Sequence, residues 1–183
     1  MTLLAGNNCA IPIIGHYEVI CGFITRFGKC ITQGPRDDIC PEYRRLLGIQ
    51  QFCALLDRLH SKGIIHGDMK PANLIFDVAG NLQFIDFAEA MLESEPPCRH
   101  ALTMHYASPS SLKMCSPLTH VDDLYAAGVT IWHIYTGHLP FKSIDEEEDD
   151  LDLLIEEGLQ LYLSLIDDET VRALICKYLG GGK

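Results

Sequence analysis

Four polar residues of the types used in phosphate chemistry lie close together in the middle of the chain. Asp68, Lys70 and Asn73 fall within one short segment, and Asp86 follows shortly after it. A carboxylate can accept or orient a hydroxyl proton, and a lysine can neutralise charge on a transferring group. Carboxylate and amide oxygens are also the ligands that Mg²⁺ prefers beside substrate phosphates. These residue types predict a site that holds a hydroxyl, a phosphate and a divalent cation.

The elements that must position these residues can be predicted from periodicity. Apolar residues repeat on one face from Pro41 to Lys62, which predicts a helix ahead of the polar segment. The stretch from Asp122 to Tyr135 is apolar nearly all round, which predicts a central buried helix ended by Gly137. Further predictions are β-rich runs within residues 10–32, a hairpin around residues 77–81, loop over residues 88–120, and helices from Leu151 and over residues 167–179. The predicted class is mainly α with small β elements (α+β).

Five motifs, in order, resemble those of the protein-kinase superfamily. His66–Asn73 is similar to the H-R-D-x-K-P-x-N catalytic loop, and Asp86–Ala88 is similar to D-F-G. Thr103–Pro109 looks like the T-x-x-Y-x-A-P end of a Ser/Thr kinase activation segment. Asp123–Val129 looks like D-x-W-S-x-G-V, and Gly137–Phe141 looks like G-x-x-P-F. The order and spacing of the five motifs make chance a poor explanation.

The resemblance implies a fold and a division of the chain. Residues 36–180 would form a kinase-like C-terminal lobe. Residues 1–35 would hold a two-strand remnant of the N-terminal lobe and the hinge, with Arg26 and Phe27 near the adenine of a nucleotide. The implied cofactors are ATP and Mg²⁺.

The resemblance also implies a role for each matching residue. Asp68 would be the base or hydroxyl-orienting acid, Lys70 would contact the phosphoryl group, and Thr103 would hydrogen-bond near both. Asn73 and Asp86 would bind Mg²⁺ and, through it, the nucleotide. His66 and Asp123 would brace the loop through its backbone, which is a structural role.

The sequence departs from the family pattern at several positions. Gly67 stands where many kinases have Arg, so a phosphorylated activation loop would lack its usual partner. Ala88 replaces the Gly of D-F-G, and Ser110 stands at the Glu of A-P-E, which removes the usual ion pair. No G-x-G-x-x-G pattern precedes residue 60, and Lys29 is the only lysine before Lys62. Most of a small lobe is therefore expected to be missing.

Two functions fit these observations. The first is a truncated kinase-like phosphotransferase whose phosphate clamp comes from a protein partner or a second copy of the chain. Its acceptor would be a peptide, a protein or a small molecule. The alternative is a catalytically inactive pseudokinase, a binding module that regulates another kinase or enzyme. The retained polar set favours the first, because such a cluster adds nothing to core packing. The missing glycine loop favours the second.

Composition and charge limit the classes of partner that the chain is expected to bind. The chain has 183 residues and a formal net charge of −11, which suits one domain and disfavours nucleic acid or an anionic membrane surface. Nine of its acids fall in residues 145–157, as expected of a solvated linker and helix start. Eight scattered cysteines without a C-x-x-C pair, and an N-terminus without a basic start, predict a cytoplasmic protein with reduced thiols.

Overall fold

Helices predominate in the computed structural model, which describes residues 10, 13–17, 22–25, 28–31, 42–95, 102–112, 117–142 and 151–180. The helices are α1 (Glu42–His60), α2 (Pro109–Leu112), α3 (His120–Thr136), α4 (Leu151–Glu156) and α5 (Glu169–Tyr178). The strands are β1 (Ile13–Tyr17), β2 (Gly22–Thr25), β3 (Lys29–Cys30), β4 (Ile64–Ile65), β5 (Leu74–Phe76), β6 (Leu82–Phe84) and β7 (Met91–Leu92). Short 3₁₀ turns occupy Pro71–Asn73, Met104–Tyr106 and Leu163–Leu165. This confirms the predicted class, mainly α with small β elements.

Three helices contribute much of the hydrophobic core, together with buried residues of the strands. α1 contributes four fully buried side chains, and α3 packs against both α1 and α5. The guanidinium of Arg45 on α1 donates to the carbonyl of Tyr135 at 2.7 Å and so ties α1 to the last turn of α3. The buried α1 side chains are Phe52, Leu55, Leu56 and Leu59. No helix in the described ranges is long and apolar enough to cross a bilayer.

The strands form three small antiparallel sheets: β1 with β2, β4 with β7, and β3–β5–β6. The β-rich segment predicted within residues 10–32 is divided between two of these sheets. β2 ends at Thr25, whereas β3 pairs with β5 through Lys29 and Phe76. Periodicity could not show this division, because it depends on a tertiary partner far along the chain.

α2 lies inside a segment that was predicted to be loop. The Ser108 hydroxyl accepts the backbone N–H of Ser111 at 2.9 Å, as an N-cap side chain does. Pro109 occupies the first helical position, where its missing N–H costs nothing. Ser-Pro therefore begins a helical turn here, where the sequence predicted a loop.

Candidate active site

Three side chains of the site contact the carboxylate of Asp68. Its Oδ2 lies 2.7 Å from the Lys70 ammonium and accepts the Asn73 amide at 2.9 Å. Its Oδ1 accepts the Thr103 hydroxyl at 2.7 Å. Lys70 also donates to the Thr103 hydroxyl at 2.9 Å, which closes a triangle among the three side chains. The structure thus brings together four of the residues that the sequence singled out.

These contacts set the charge of Asp68. Burial by itself would raise the pKa of this carboxyl. The hydrogen bonds from Lys70, Thr103 and Asn73 outweigh burial and hold the pKa below its ordinary value. Asp68 is therefore ionised at neutral pH and remains able to accept a proton or orient a hydroxyl.

The loop that carries Asp68 is held from below by α3. Asp123 accepts the backbone N–H of His66 at 2.8 Å and that of Gly67 at 3.0 Å. The imidazole of His60, at the end of α1, bonds to the same carboxylate at 2.9 Å. Asp123 is buried at 2% exposure, so these contacts are shielded from water. The bracing role expected of Asp123 agrees with this geometry.

His66 fills the space beneath the loop. Its ring lies 4.9 Å from the ring of Phe84 and 4.8 Å from that of Phe87, measured between centroids. Its Nδ1 accepts the backbone N–H of Asp68 at 3.3 Å. Burial lowers the pKa of His66, opposed by the nearby Asp123 and Asp68 carboxylates. A neutral, packed imidazole is a structural support and has no need to titrate during a reaction.

Gly67 occupies a position where the surrounding backbone leaves no room for a Cβ. Its φ is +81°, in the left-handed region, and a Cβ there would lie 2.5 Å from the backbone oxygen of Glu89. From the sequence, this glycine was interpreted as the loss of an arginine. The structure adds a physical reason for it, since the loop passes directly against the backbone ahead of β7.

Asn73 and Asp86 flank a hairpin that places their backbones together. Asn73 comes directly before β5, and Asp86 follows two residues after β6, its antiparallel partner. The N–H of Ile85 donates to the carbonyl of Asn73 at 3.0 Å. Asp86 is exposed and has φ +58°, an unusual backbone conformation for a non-glycine residue. Such outliers persist where surrounding structure enforces them, often at functional sites.

The donor set fits Mg²⁺ better than a transition metal. Asn73 uses its Nδ2 for the Asp68 carbonyl and carboxylate, which leaves its Oδ1 as the oxygen for a cation. Within the described ranges, no group of three His, Cys, Asp or Glu side chains could hold a metal by itself. Mg²⁺ is commonly bound by one or two protein oxygens together with substrate phosphates. Asn73 and Asp86 could supply those two oxygens.

Asp122 on α3 holds the wall opposite the catalytic loop, and the sequence did not identify it as a site residue. Thr103 begins this wall, and Ser108 and Ser110 follow it. Both serine hydroxyls donate to the Asp122 carboxylate on α3, Ser110 at 2.7 Å. The only sequence signal for Asp122 was its position three residues after Thr119, a helix-capping pattern.

Two predicted site residues, Arg26 and Phe27, lie outside the described residues. The expected adenine contact therefore remains a prediction.

Comparison with known proteins places these features in a family. Residues 32–173 match the family described as "Protein kinase domain". The Saccharomyces cerevisiae serine/threonine-protein kinase GIN4 is 30% identical over 134 residues, which is 72% of this chain and 11% of that protein. Ribosomal protein S6 kinase alpha-1 of Rattus norvegicus is 33% identical over 164 residues, 87% of this chain and 22% of that protein. Ribosomal protein S6 kinase alpha-2 of Homo sapiens is 31% identical over 176 residues, 92% of this chain and 24% of that protein.

These matches show the family, since the kinase domain covers most of the chain. The chain belongs to the protein kinase family, and it spans less than a quarter of the length of these three relatives.

Proposed function

From membership of the protein kinase family, we propose that this chain binds Mg-ATP and transfers its terminal phosphoryl group to a hydroxyl acceptor. The observation that carries the proposal is the convergence of Lys70, Thr103 and Asn73 on the Asp68 carboxylate. Three donors on one carboxylate fix its orientation in advance. Positioning is the main thing that an enzyme contributes to phosphoryl transfer.

Asp68 would receive the acceptor. Its lowered pKa keeps it ionised, so one oxygen can accept the hydrogen bond of an incoming hydroxyl and orient the attacking oxygen. Lys70 lies 2.7 Å from Asp68 and would face the transferring group, where its charge offsets the negative charge of the phosphoryl oxygens. Thr103 holds Lys70 and Asp68 in register, because its hydroxyl bonds to both.

Asn73 and Asp86 would hold the cation. Bound Mg²⁺ would neutralise charge on the nucleotide phosphates. Asn73 is nearly fully buried and fixed by two hydrogen bonds to Asp68, whereas Asp86 is exposed. One ligand is therefore rigid, and the other is open to solvent and accessible to a nucleotide.

We also propose that a protein partner or a second copy of the chain completes the phosphate clamp. The support is that residues 1–60 contain no G-x-G-x-x-G pattern, although Asp68, Lys70 and Asn73 of the catalytic loop are all present. Light scattering of the pure chain, with and without Mg-ATP, measures its mass. A monomer that turns over ATP rapidly would contradict this part of the proposal.

A binding module without turnover is the second candidate. The observation in its favour is the closed ion pair between Lys70 and Asp68 at 2.7 Å. In this conformation the Lys70 ammonium is paired with the Asp68 carboxylate and does not face a phosphate. A regulatory pseudokinase would retain this pair as part of its fold.

Titration of the pure chain with Mg-ATP separates the two candidates. Asp86→Asn is the informative variant, because Asn tolerates the left-handed backbone while losing the charge. We expect Asp86→Asn to weaken Mg-dependent ATP binding about tenfold or more. We expect Asp68→Asn to keep binding and to lower turnover by a factor of about 10²–10⁴.

The matched control is Asp57→Asn, which neutralises an exposed carboxylate on α1. It should change neither binding nor turnover. Binding unchanged in Asp86→Asn, or absence of Mg-dependent ATP binding both by the pure chain and in the presence of a purified partner, would refute the phosphotransferase proposal. Binding without turnover in the unaltered chain, also in the presence of a purified partner, would favour the binding module.

A further inference from the structure

Two neighbouring acids in the first turn of α3 reach opposite sides of the candidate site. Asp123 holds the catalytic loop through the N–H groups of His66 and Gly67. Asp122 faces the other way and holds the wall formed by residues 103–111 through Ser108 and Ser110. Both carboxylates are buried, with exposures of 8% for Asp122 and 2% for Asp123. One helical turn therefore contacts both sides of the cleft that contains Asp68.

The Asp122 carboxylate has a full set of donors. Its Oδ1 accepts the hydroxyls of Ser108 and Ser110, the latter at 2.7 Å. Its Oδ2 accepts the N–H and the hydroxyl of Thr119, each at 2.8 Å. One oxygen thus accepts hydrogen bonds from the wall, and the other accepts them from Thr119 at the start of α3. These donors outweigh burial and hold the pKa of Asp122 below its ordinary value, so it remains charged at neutral pH.

The wall connects Asp122 directly to Thr103. A single 3₁₀ turn, Met104–Tyr106, joins Thr103 to Ala107, with backbone hydrogen bonds of 2.9 Å from Tyr106 to Thr103 and 3.0 Å from Ala107 to Met104. Ser108 follows immediately and is 3% exposed. A displacement of Ser108 would therefore reach, over one short hydrogen-bonded turn, the hydroxyl that contacts Asp68.

We propose that Asp122 is a positioning residue that sets the distance between this wall and the catalytic loop. Through Ser108 and Ser110 it keeps Thr103 in contact with Asp68 and Lys70. Its effect on phosphoryl transfer rests on the function proposed above. Its effect on the contact between Thr103 and Asp68 does not, and this contact can be measured without turnover.

Two variants that each remove one hydroxyl distinguish the contacts of the two Asp122 carboxylate oxygens. Ser110→Ala and Thr119→Ala each remove one exposed hydroxyl that donates to the same carboxylate. Hydrogen exchange of the Ser111 amide reports on the wall, because this N–H donates to Ser108. We expect Ser110→Ala to speed its exchange about five- to tenfold. We expect Thr119→Ala to affect only the amides in the first turn of α3.

Asp122→Ala tests the link to the catalytic acid. We expect it to raise the pKa of Asp68, followed by carboxyl NMR, because the Thr103 hydrogen bond that lowers this pKa weakens. Asp168→Ala is the matched control, since Asp168 caps α5 through the N–H groups of Thr170 and Val171. It should lower stability without changing the pKa of Asp68.

Either of two results would overturn the proposal. One is a pKa of Asp68 that is unchanged in folded Asp122→Ala. The other is equal exchange of the Ser111 amide in Ser110→Ala and Thr119→Ala, a comparison that still applies if Asp122→Ala does not fold. A chain without ATP turnover leaves both readouts usable, so failure of the proposed function is distinguishable from failure of this inference.

Discussion

Replacing Gly67 by alanine tests how closely the catalytic loop is packed. Gly67 and Gly80 have the same φ of +81°, but their surroundings differ. A Cβ at Gly67 would lie 2.5 Å from the Glu89 oxygen and 3.2 Å from its carbonyl carbon, whereas a Cβ at Gly80 meets nothing within 4 Å. The two substitutions therefore share the backbone strain and differ in steric overlap.

The magnitudes follow from this difference. Alanine in the left-handed region costs about 1–2 kcal/mol. Replacing glycine by alanine also restricts the unfolded chain, and this stabilises the folded state by about 0.4–1 kcal/mol. Gly80→Ala should therefore lower the free energy of unfolding by about 0–1.5 kcal/mol. Overlap with fixed backbone adds about 1–3 kcal/mol at Gly67, and this is the expected difference between the two variants.

Urea unfolding measures both variants. The chain has one tryptophan, Trp132, which is 3% exposed on α3, so its fluorescence reports on the core. The unfolding midpoint should fall further in Gly67→Ala than in Gly80→Ala at an unchanged m-value. A difference below about 0.5 kcal/mol would refute the packing argument, because it is within the scatter expected for independent sites.

Two predictions concern pH. Asp68 has a lowered pKa in the folded state, so its stabilising contribution is present above its ordinary pKa of 3.8 and is lost as the pH falls through the folded value. Thr103→Val should raise this pKa in a carboxyl NMR titration, and an unchanged titration would contradict the hydrogen-bond explanation. His66 and His133 also have lowered pKa values, mainly from burial. Below their ordinary pKa of 6.5 the unfolded chain binds more protons, so stability should fall from pH 7 to pH 5. His133→Gln, which offers Tyr106 another acceptor in place of the 2.6 Å bond, should flatten this dependence in urea unfolding; an unchanged slope would exclude His133 as a contributor.

The sequence was sufficient where local pattern determines structure. The apolar repeat before Gly63 predicted α1, and the all-apolar stretch after Asp122 predicted α3. The catalytic loop was found because Asp68, Lys70 and Asn73 must be near in space when they are this near in sequence. For these elements, propensity, periodicity and tertiary packing all favour the same structure.

The sequence was insufficient where a residue's role depends on a distant neighbour. Asp122 was not recognised as a site residue, because its partners Ser108 and Ser110 lie 14 and 12 residues away. Gly67 looked like the loss of an arginine, because its contact with Glu89 is a tertiary one. The Ser-Pro at the start of α2 looked like part of a loop, because only the structure shows the Ser108 hydroxyl accepting a backbone N–H.

The serine at position 110 has to be interpreted together with Asp122. In the family pattern a glutamate stands at position 110, and its absence alone would mean a lost ion pair. Here the Ser110 hydroxyl lies 2.7 Å from Asp122, which supplies the negative charge from the helix. A glutamate at position 110 would bring a second carboxylate against Asp122, and like charges at such short range repel. A neutral hydrogen-bond donor such as serine therefore suits position 110, and its hydrogen bond to the Asp122 carboxylate is charge-assisted.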